Sequence, residues 1–227
     1  MTTTMTASPV PTDPDAFQRA VTARFSLATP SMADDADATD DEDLLDPGDR
    51  PVRADPPPKP AAVLIPVVAR AEATVLLTQR SGALSSHAGQ ISFPGGRIDA
   101  GDTTPIDTAL REAEEEIGLA RHLVRPLGYM PPFLSRTGYR IVPVVSLVEP
   151  GFELTLNASE VTDAFEVPLA FLMDPANHQY QSREWQGRRR WFYAMPYGDR
   201  YIWGITAGIL RNLWERLSEP ALPPTQE

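Results

Sequence analysis

Three glutamates, Glu112, Glu115 and Glu116, stand at spacings i, i+3 and i+4 in the stretch TTPIDTALREAEEEIGL. Wound as an α-helix, that spacing puts all three carboxylates on one face, while Glu114 points elsewhere. Like charges so placed repel by roughly 0.2–0.5 kcal/mol per pair. Such a face is either solvated, with Arg111 pairing to Glu115 or Asp107, or it holds a cation, and a hard divalent ion with oxygen ligands is the natural neutraliser. Just upstream, Phe93-Pro94-Gly95-Gly96 follows the short apolar segment Gln90-Ile91-Ser92. Paired glycines after a proline allow positive φ and close backbone approach. A lone Pro-Gly-Gly is an ordinary turn. A strand, a glycine turn, a loop and then a carboxylate-lined helix outline a phosphate-plus-metal site.

The elements that must hold these groups are legible around them. Thr104 is an N-cap, Pro105 sits at the first helical position, Asp107 favours the positive helix end and Gly118 is a natural stop, which predicts a helix from about Pro105 to Ile117. Its apolar stripe is Ile106, Leu110, Ala113 and Ile117, and it must face a core. AAVLIPVVAR and ATVLLTQR read as strands, as do Val124 to Gly128, Tyr139 to Val148, Gln179 to Glu184 and Arg190 to Ala194. A second long helix is expected over about Ile202 to Leu217, with Trp203 in the core rather than stacked on a substrate and Arg188-Arg189-Arg190 in a hairpin turn rather than a basic patch. Strands and helices mixed without regular alternation predict an α/β (α+β) fold, a mixed β-sheet sandwiched between helices, over residues 61–220.

Residues 1–60 read as an acidic, Pro-rich leader, largely disordered, with 12 Asp/Glu against 5 Lys/Arg; residues 221–227 are a tail. Within the leader, Thr12-Asp13-Pro14 starts a helix to about Phe25, with Phe17, Ala20, Val21 and Phe25 near one face, either docked on the domain or loose. Met32 to Pro60 is expected to be a mobile tether, so that removing residues 1–55 leaves the melting transition nearly unchanged. The chain of 227 residues has no cysteine, which excludes a disulfide scaffold and cysteine-ligated metal. A net charge of -11, with no basic stripe interleaved with aromatics, opposes nucleic-acid binding. No long apolar run or signal-peptide pattern occurs, so no membrane association and a cytoplasmic location are expected.

Arg111-Glu112-Ala113-Glu114-Glu115-Glu116-Ile117-Gly118-Leu119 resembles the second half of the Nudix hydrolase signature at every fixed position. The first half departs from the general pattern: Arg111 lies one residue further from Gly96, and Asp102 stands near the usual mid-loop glutamate. The extra residue is similar to the coenzyme A diphosphatase branch. So are Leu76-Leu77-Thr78-Gln79-Arg80-Ser81, the segment from His87 to Gly96, and Ile202-Trp203-Gly204-Ile205-Thr206-Ala207. Ser85 replaces the arginine that this branch carries between the two upstream motifs. The resemblance covers about residues 62–217.

The resemblance implies a Nudix fold and magnesium- or manganese-dependent hydrolysis of a small-molecule substrate: coenzyme A or a derivative, cut to 4'-phosphopantetheine and adenosine 3',5'-bisphosphate. It implies Glu112 and Glu116 as metal ligands, with Glu115 as third ligand or general base, all three being catalytic. Glu160, in the loop Asn157-Ala158-Ser159-Glu160-Val161, is a rival base or an ordinary loop acid. Substrate-binding candidates are Arg80, which pairs either with phosphate or with a surface acid, His87, which either contacts the adenosine 3'-phosphate or the diphosphate or is a hydrogen-bonded loop histidine, and Ser81, Gly95 and Gly96. Arg111 is expected to orient the glutamates. ADP-ribose, a dinucleotide or an oxidised nucleotide is the alternative substrate, and a non-catalytic ligand sensor the alternative role; a homodimer is compatible with the sequence.

Overall fold

Val, Ile and Leu dominate the central segments because they are buried on both faces, the condition that turns an alternating strand pattern into a continuous apolar one. The computed structural model describes residues 10–31, 38–40, 57–84, 87–135, 137–185 and 188–219. Helix α1 (Pro14–Thr22) and strand β1 (Thr39–Asp40) precede β2 (Lys59–Val68), β3 (Thr74–Arg80), β4 (Ile91–Ser92), β5 (Gly95–Arg97) and α2 (Pro105–Ile117). Then come β6 (Val124–Tyr129), β7 (Phe133–Ser135), β8 (Tyr139–Val148), β9 (Val161–Pro168) and α3 (Leu169–Leu172). The chain continues through β10 (Gln179–Trp185), β11 (Arg188–Tyr197), β12 (Arg200–Trp203) and α4 (Ile205–Ser218).

Among the described residues, β1 to β9 form one mixed sheet and β10, β11 and β12 a separate antiparallel one. β2 and β8 are parallel over their whole length, from Lys59 opposite Tyr139 to Val68 opposite Val148. The other edge of β2 is shared: β5 pairs at Ala61 to Val63, and β3 pairs at Val67 and Val68. The two partners diverge from that edge, and the site described below opens beside β5.

The sheet divides the core into two layers. Ala62, Leu64, Val68 and Leu76 pack with Ala109, Ala113 and Ile117 of α2. Ile65, Val67, Val75 and Val145 pack on the other face with Phe17 and Val21 of α1 and Leu210, Leu213 and Leu217 of α4. The α+β sandwich expected from the sequence is therefore the observed fold. The expected caps of α2 form. Thr104 Oγ1 accepts from the Asp107 amide at 3.3 Å, Asp107 Oδ2 accepts from the Thr104 amide at 2.8 Å, and Gly118 closes the helix at φ 70°.

Two elements depart from expectation, and a third was left open by the sequence. α1 docks, one of the two readings its sequence left open: Phe17 and Val21 are completely buried, and the Tyr129 amide donates to the Ser26 carbonyl at 2.9 Å. The helix expected from Ile202 begins later, because Ile202 and Trp203 pair with Met195 and Ala194 as β12, and Gly204 at φ 64° makes the turn into α4. Arg188 to Arg190 are the first residues of β11 rather than a turn; residues 186 and 187 lie outside the described residues. Of the expected tether, Thr39 and Asp40 pair with β7, whereas residues 32–37 and 41–56, like the tail, lie outside the described residues. Among the described residues no helix is long and apolar enough to cross a membrane.

Candidate active site

The burial of Ala109, Ala113 and Ile117 fixes the rotation of α2, and that rotation turns Glu112 and Glu116 toward β5. Gly96 makes the approach of Glu112 feasible, and Gly95 lets β5 lie against β2. A Cβ on Gly95 would stand 2.5 Å from the Ala62 carbonyl oxygen, and the residue has φ 156°. Its amide donates to Glu116 Oε2 at 3.3 Å. A Cβ on Gly96 would lie 2.4 Å from the Glu112 carboxyl carbon. Since the obstructing atoms belong to the end of a flexible side chain, Gly96→Ala is expected to change stability by less than about 1 kcal/mol. Displacing that carboxylate by about 1 Å should lower kcat/KM on the order of 10²-fold. Thermal melting and steady-state kinetics on one preparation check both.

Arg111 ties the front of the helix together. Its Nε and Nη2 donate to Asp102 Oδ1 and Oδ2 at 3.1 and 2.9 Å, and Nη1 donates to Glu112 at 2.9 Å and to Glu115 at 3.1 Å. Asp102, near-buried, also accepts from Thr108 Oγ1 at 2.9 Å. Hydrogen bonding from Arg111 holds the Asp102 carboxyl far below the usual carboxylate range, and raises the guanidinium in return. A depressed carboxyl stabilises the fold above the ordinary carboxylate pKa, and that contribution is lost as pH falls toward the folded value. Asp102→Asn is expected to cost about 1.5 kcal/mol at neutral pH, the worth of a charge-assisted hydrogen bond, because Arg111 keeps Glu112 and Glu115; the deficit should shrink in acid, and denaturant unfolding at pH 7 and pH 3 measures this.

The innermost carboxylate, Glu116, lacks such a hydrogen-bonded cation. Glu116 is 3% exposed, and its nearest cation is Arg80 Nη1 at 4.0 Å. Burial pushes its carboxyl up to about 8, against the pull of Arg80 and the Gly95 amide. Burial also raises Glu112, opposed by Arg111. A hard divalent cation fits this set, because oxygen donors with a local deficit of positive charge are its preferred environment. As the side chains stand, no three His, Asp or Glu among the described residues converge on one point that could hold a metal.

Glu112, Glu116, Arg80, His87, Gly95 and Gly96 all line one cavity of about 470 Å³. His87 is held there at φ 55° with Nδ1 2.9 Å from Gln90 Oε1, and the Arg80 Nε is buried without a hydrogen-bond partner. Two expected residues lie elsewhere. Glu115 points outward, its side chain 57% exposed beside Arg111, so helical spacing alone placed it too near the other two. Ser81 is buried behind the wall, where its Oγ accepts from the Ala83 amide at 3.3 Å. Glu160 lines the same cavity as Glu112 and Glu116. Its position is set by a turn in which the Glu160 amide donates to the Asn157 carbonyl at 2.9 Å, and by the distant Ser81 amide, which donates to the Glu160 carbonyl at 2.7 Å. Trp203, expected in the core, is half-buried on the cavity wall. Ser85 lies outside the described residues.

A capped helix with inward glutamates, an arginine clamp on its outer side and a glycine strand against it is the arrangement of the Nudix fold. The chain belongs to the NUDIX domain family, whose match spans residues 58–191. It is a hydrolase acting on pyrophosphate bonds of nucleoside diphosphate derivatives. An uncharacterized Nudix hydrolase, NudL, of Photorhabdus laumondii is 41% identical over 169 residues, which cover 71% of this chain and 90% of that protein. Its counterpart in Yersinia pestis (strain Pestoides F) is 40% identical over 158 residues, 70% of this chain and 79% of that one. Among solved structures, a MutT/nudix family protein from Enterococcus faecalis has a TM-score of 0.46 and 16% identity, covering 75% of this chain and 66% of the other.

Proposed function

We propose that the chain hydrolyses the diphosphate bond of coenzyme A or its derivatives, releasing 4'-phosphopantetheine and adenosine 3',5'-bisphosphate. The observation that carries the diphosphate chemistry is the meeting of Glu112, Glu116 and Arg80 with the β5 glycines in one cavity. The choice of coenzyme A rests on the two upstream motifs, Leu76 to Ser81 and His87 to Gly96.

Glu112 and Glu116 would hold the divalent cation, magnesium or manganese, with Glu160 or Glu115 as a further carboxylate. The bound cation supplies charge neutralisation on the diphosphate oxygens and acidifies water. The protein's own groups do the rest. Arg80, at the end of β3, carries donors that match phosphate oxygens and orients them. Gly95 and Gly96 line the same cavity, and the missing Cβ at Gly96 leaves room for the Glu112 carboxylate. Arg111 acts behind the site, fixing Glu112 through Asp102 rather than touching substrate. Glu160 faces the cavity and Glu115 does not, so Glu160 is the better placed general base. A base must stand within hydrogen-bond reach of the attacking water.

Catalytic efficiencies measured side by side on coenzyme A, ADP-ribose, a reduced dinucleotide and an oxidised nucleoside triphosphate test the substrate. The highest value is expected for coenzyme A. Preference for another member would move the assignment to the alternative that Ser85 favours by removing one anionic contact. No turnover of any would turn the reading to a ligand sensor.

A further inference from the structure

β9 does not follow β3 in plain register. Gln79 is opposite Asp163, but Arg80 is opposite Val161, so Thr162 is an extra residue in β9. A bulge of this kind re-aims the side chains beyond it, and a slip of one residue would turn them to the other face of the sheet. The groups beyond this bulge are Arg80, at the end of β3, and Glu160, just before β9, and both line the carboxylate cavity. Their backbones are tied together: the Ser81 amide donates to the Glu160 carbonyl at 2.7 Å, and the Arg80 amide donates to the Gln90 carbonyl at 2.9 Å. Whatever holds the bulge therefore sets where Arg80 and Glu160 point.

Arg200, the first residue of β12 in the other sheet, reaches across to it. Its Nη1 donates to Gln79 Oε1 at 2.8 Å and its Nη2 to Asp163 Oδ2 at 2.5 Å. One guanidinium thus joins both side chains of the last regular pair before the bulge. A planar fork that meets two partners at once fixes direction as well as distance. Phe165, on the same face of β9 as Asp163, lies under the guanidinium with its ring centre 4.3 Å away. Thr162 Oγ1 adds a bond to the Gln79 carbonyl at 3.3 Å. Arg200 itself stays outside the carboxylate cavity. Its ion pair with Asp163 leaves 27% and 40% of the two side chains exposed, and such a pair adds little to stability. Its effect belongs to the geometry of the bulge.

We propose that Arg200 is a positioning residue for the diphosphate chemistry: by holding Gln79 and Asp163 together it keeps the bulge at Thr162, and through it the aim of Arg80 and Glu160 into the cavity. The inference rests on that cavity being the diphosphate site.

The test is a double-mutant cycle on the full chain, with Arg200→Gln, Arg80→Ala and the two combined. Titration calorimetry with methylenediphosphonate and magnesium reads diphosphate binding without turnover, and kcat and KM on coenzyme A read the reaction. Arg200→Gln is expected to weaken methylenediphosphonate binding and to lower kcat/KM, each on the order of tenfold, while melting within about 4 °C of the unmodified chain. In the Arg80→Ala background the same change should alter binding less than about twofold, because residues acting through one another are not additive. Arg200→Lys, which keeps the charge beside Asp163 and loses the fork, should restore part of both losses. Binding unchanged in Arg200→Gln, or weakened by the same factor in both backgrounds, overturns the inference. Should Arg200→Gln fail to fold, Arg200→Lys takes its place in the cycle and decides by the same criterion. If the cycle is coupled while coenzyme A is left intact, the positioning role stands and the substrate reading falls. If coenzyme A is hydrolysed and the cycle is additive, the reading stands and the positioning role falls. No binding of methylenediphosphonate by the unmodified chain overturns the diphosphate cavity and the inference with it.

Discussion

Replacing Glu112 and Glu116 together by glutamine abolishes turnover, with kcat/KM falling on the order of 10³-fold or more. A bound divalent ion contributes several kcal/mol of transition-state stabilisation, and each ~1.4 kcal/mol is a factor of ten. Glutamine keeps the volume of each side chain and removes the charge, so packing against β5 survives. Magnesium or manganese should raise the melting temperature of the unmodified chain and leave the variant's unchanged, because linkage needs a native-state site. Without cation the variant should melt no lower than the unmodified chain, since Glu116 is buried at 3% exposure with only a distant arginine to offset its charge. Activity retained within tenfold, or an undiminished cation-dependent shift, would contradict the assignment.

Phe17→Ala is expected to cost about 3–5 kcal/mol, the usual loss for a fully buried phenylalanine. That is a large part of a typical folding free energy of about 5–15 kcal/mol. Phe17 and Val21 are both completely buried between α1 and the sheet, and Phe25 packs so closely on Gly128 that a Cβ there would meet it at 2.6 Å. Removing residues 1–55 should therefore lower the melting temperature by roughly 6 °C or more, at about 2–4 °C per kcal/mol for a chain of this size. A dispensable tether, the expectation from composition, predicts no change. Denaturant unfolding of Phe17→Ala beside the truncated chain separates these outcomes, and a loss under ~1 kcal/mol in both would mean that α1 is only loosely held.

Local signals carried the parts of the structure that local chemistry determines. α2 was readable to the residue because its start and stop are built from neighbours: Thr104 and Asp107 cap each other, and Gly118 supplies a left-handed turn. β8 was equally plain, since Tyr139–Val148 is apolar on both faces. β9 was invisible for the opposite reason: it mixes Asp163 and Glu166 with half-exposed apolar residues and ends at Pro168, and only pairing with β3 makes it a strand. In the site, helical spacing grouped Glu115 with Glu112 and Glu116, but Arg111 draws it outward. The group on the opposite wall, Glu160, depends on a contact between residues far apart in sequence, Ser81 and Glu160. The reach of Arg200 to Gln79 and Asp163 was hidden in the same way, because it crosses from one sheet to the other.

The central claim is cleavage of coenzyme A at its diphosphate, and chromatographic product analysis of purified chain with coenzyme A and magnesium or manganese addresses it directly. The account predicts equal amounts of 4'-phosphopantetheine and adenosine 3',5'-bisphosphate, absent when the Glu112→Gln/Glu116→Gln variant replaces the unmodified chain. Formation of dephospho-coenzyme A with inorganic phosphate, or coenzyme A recovered intact, would contradict it.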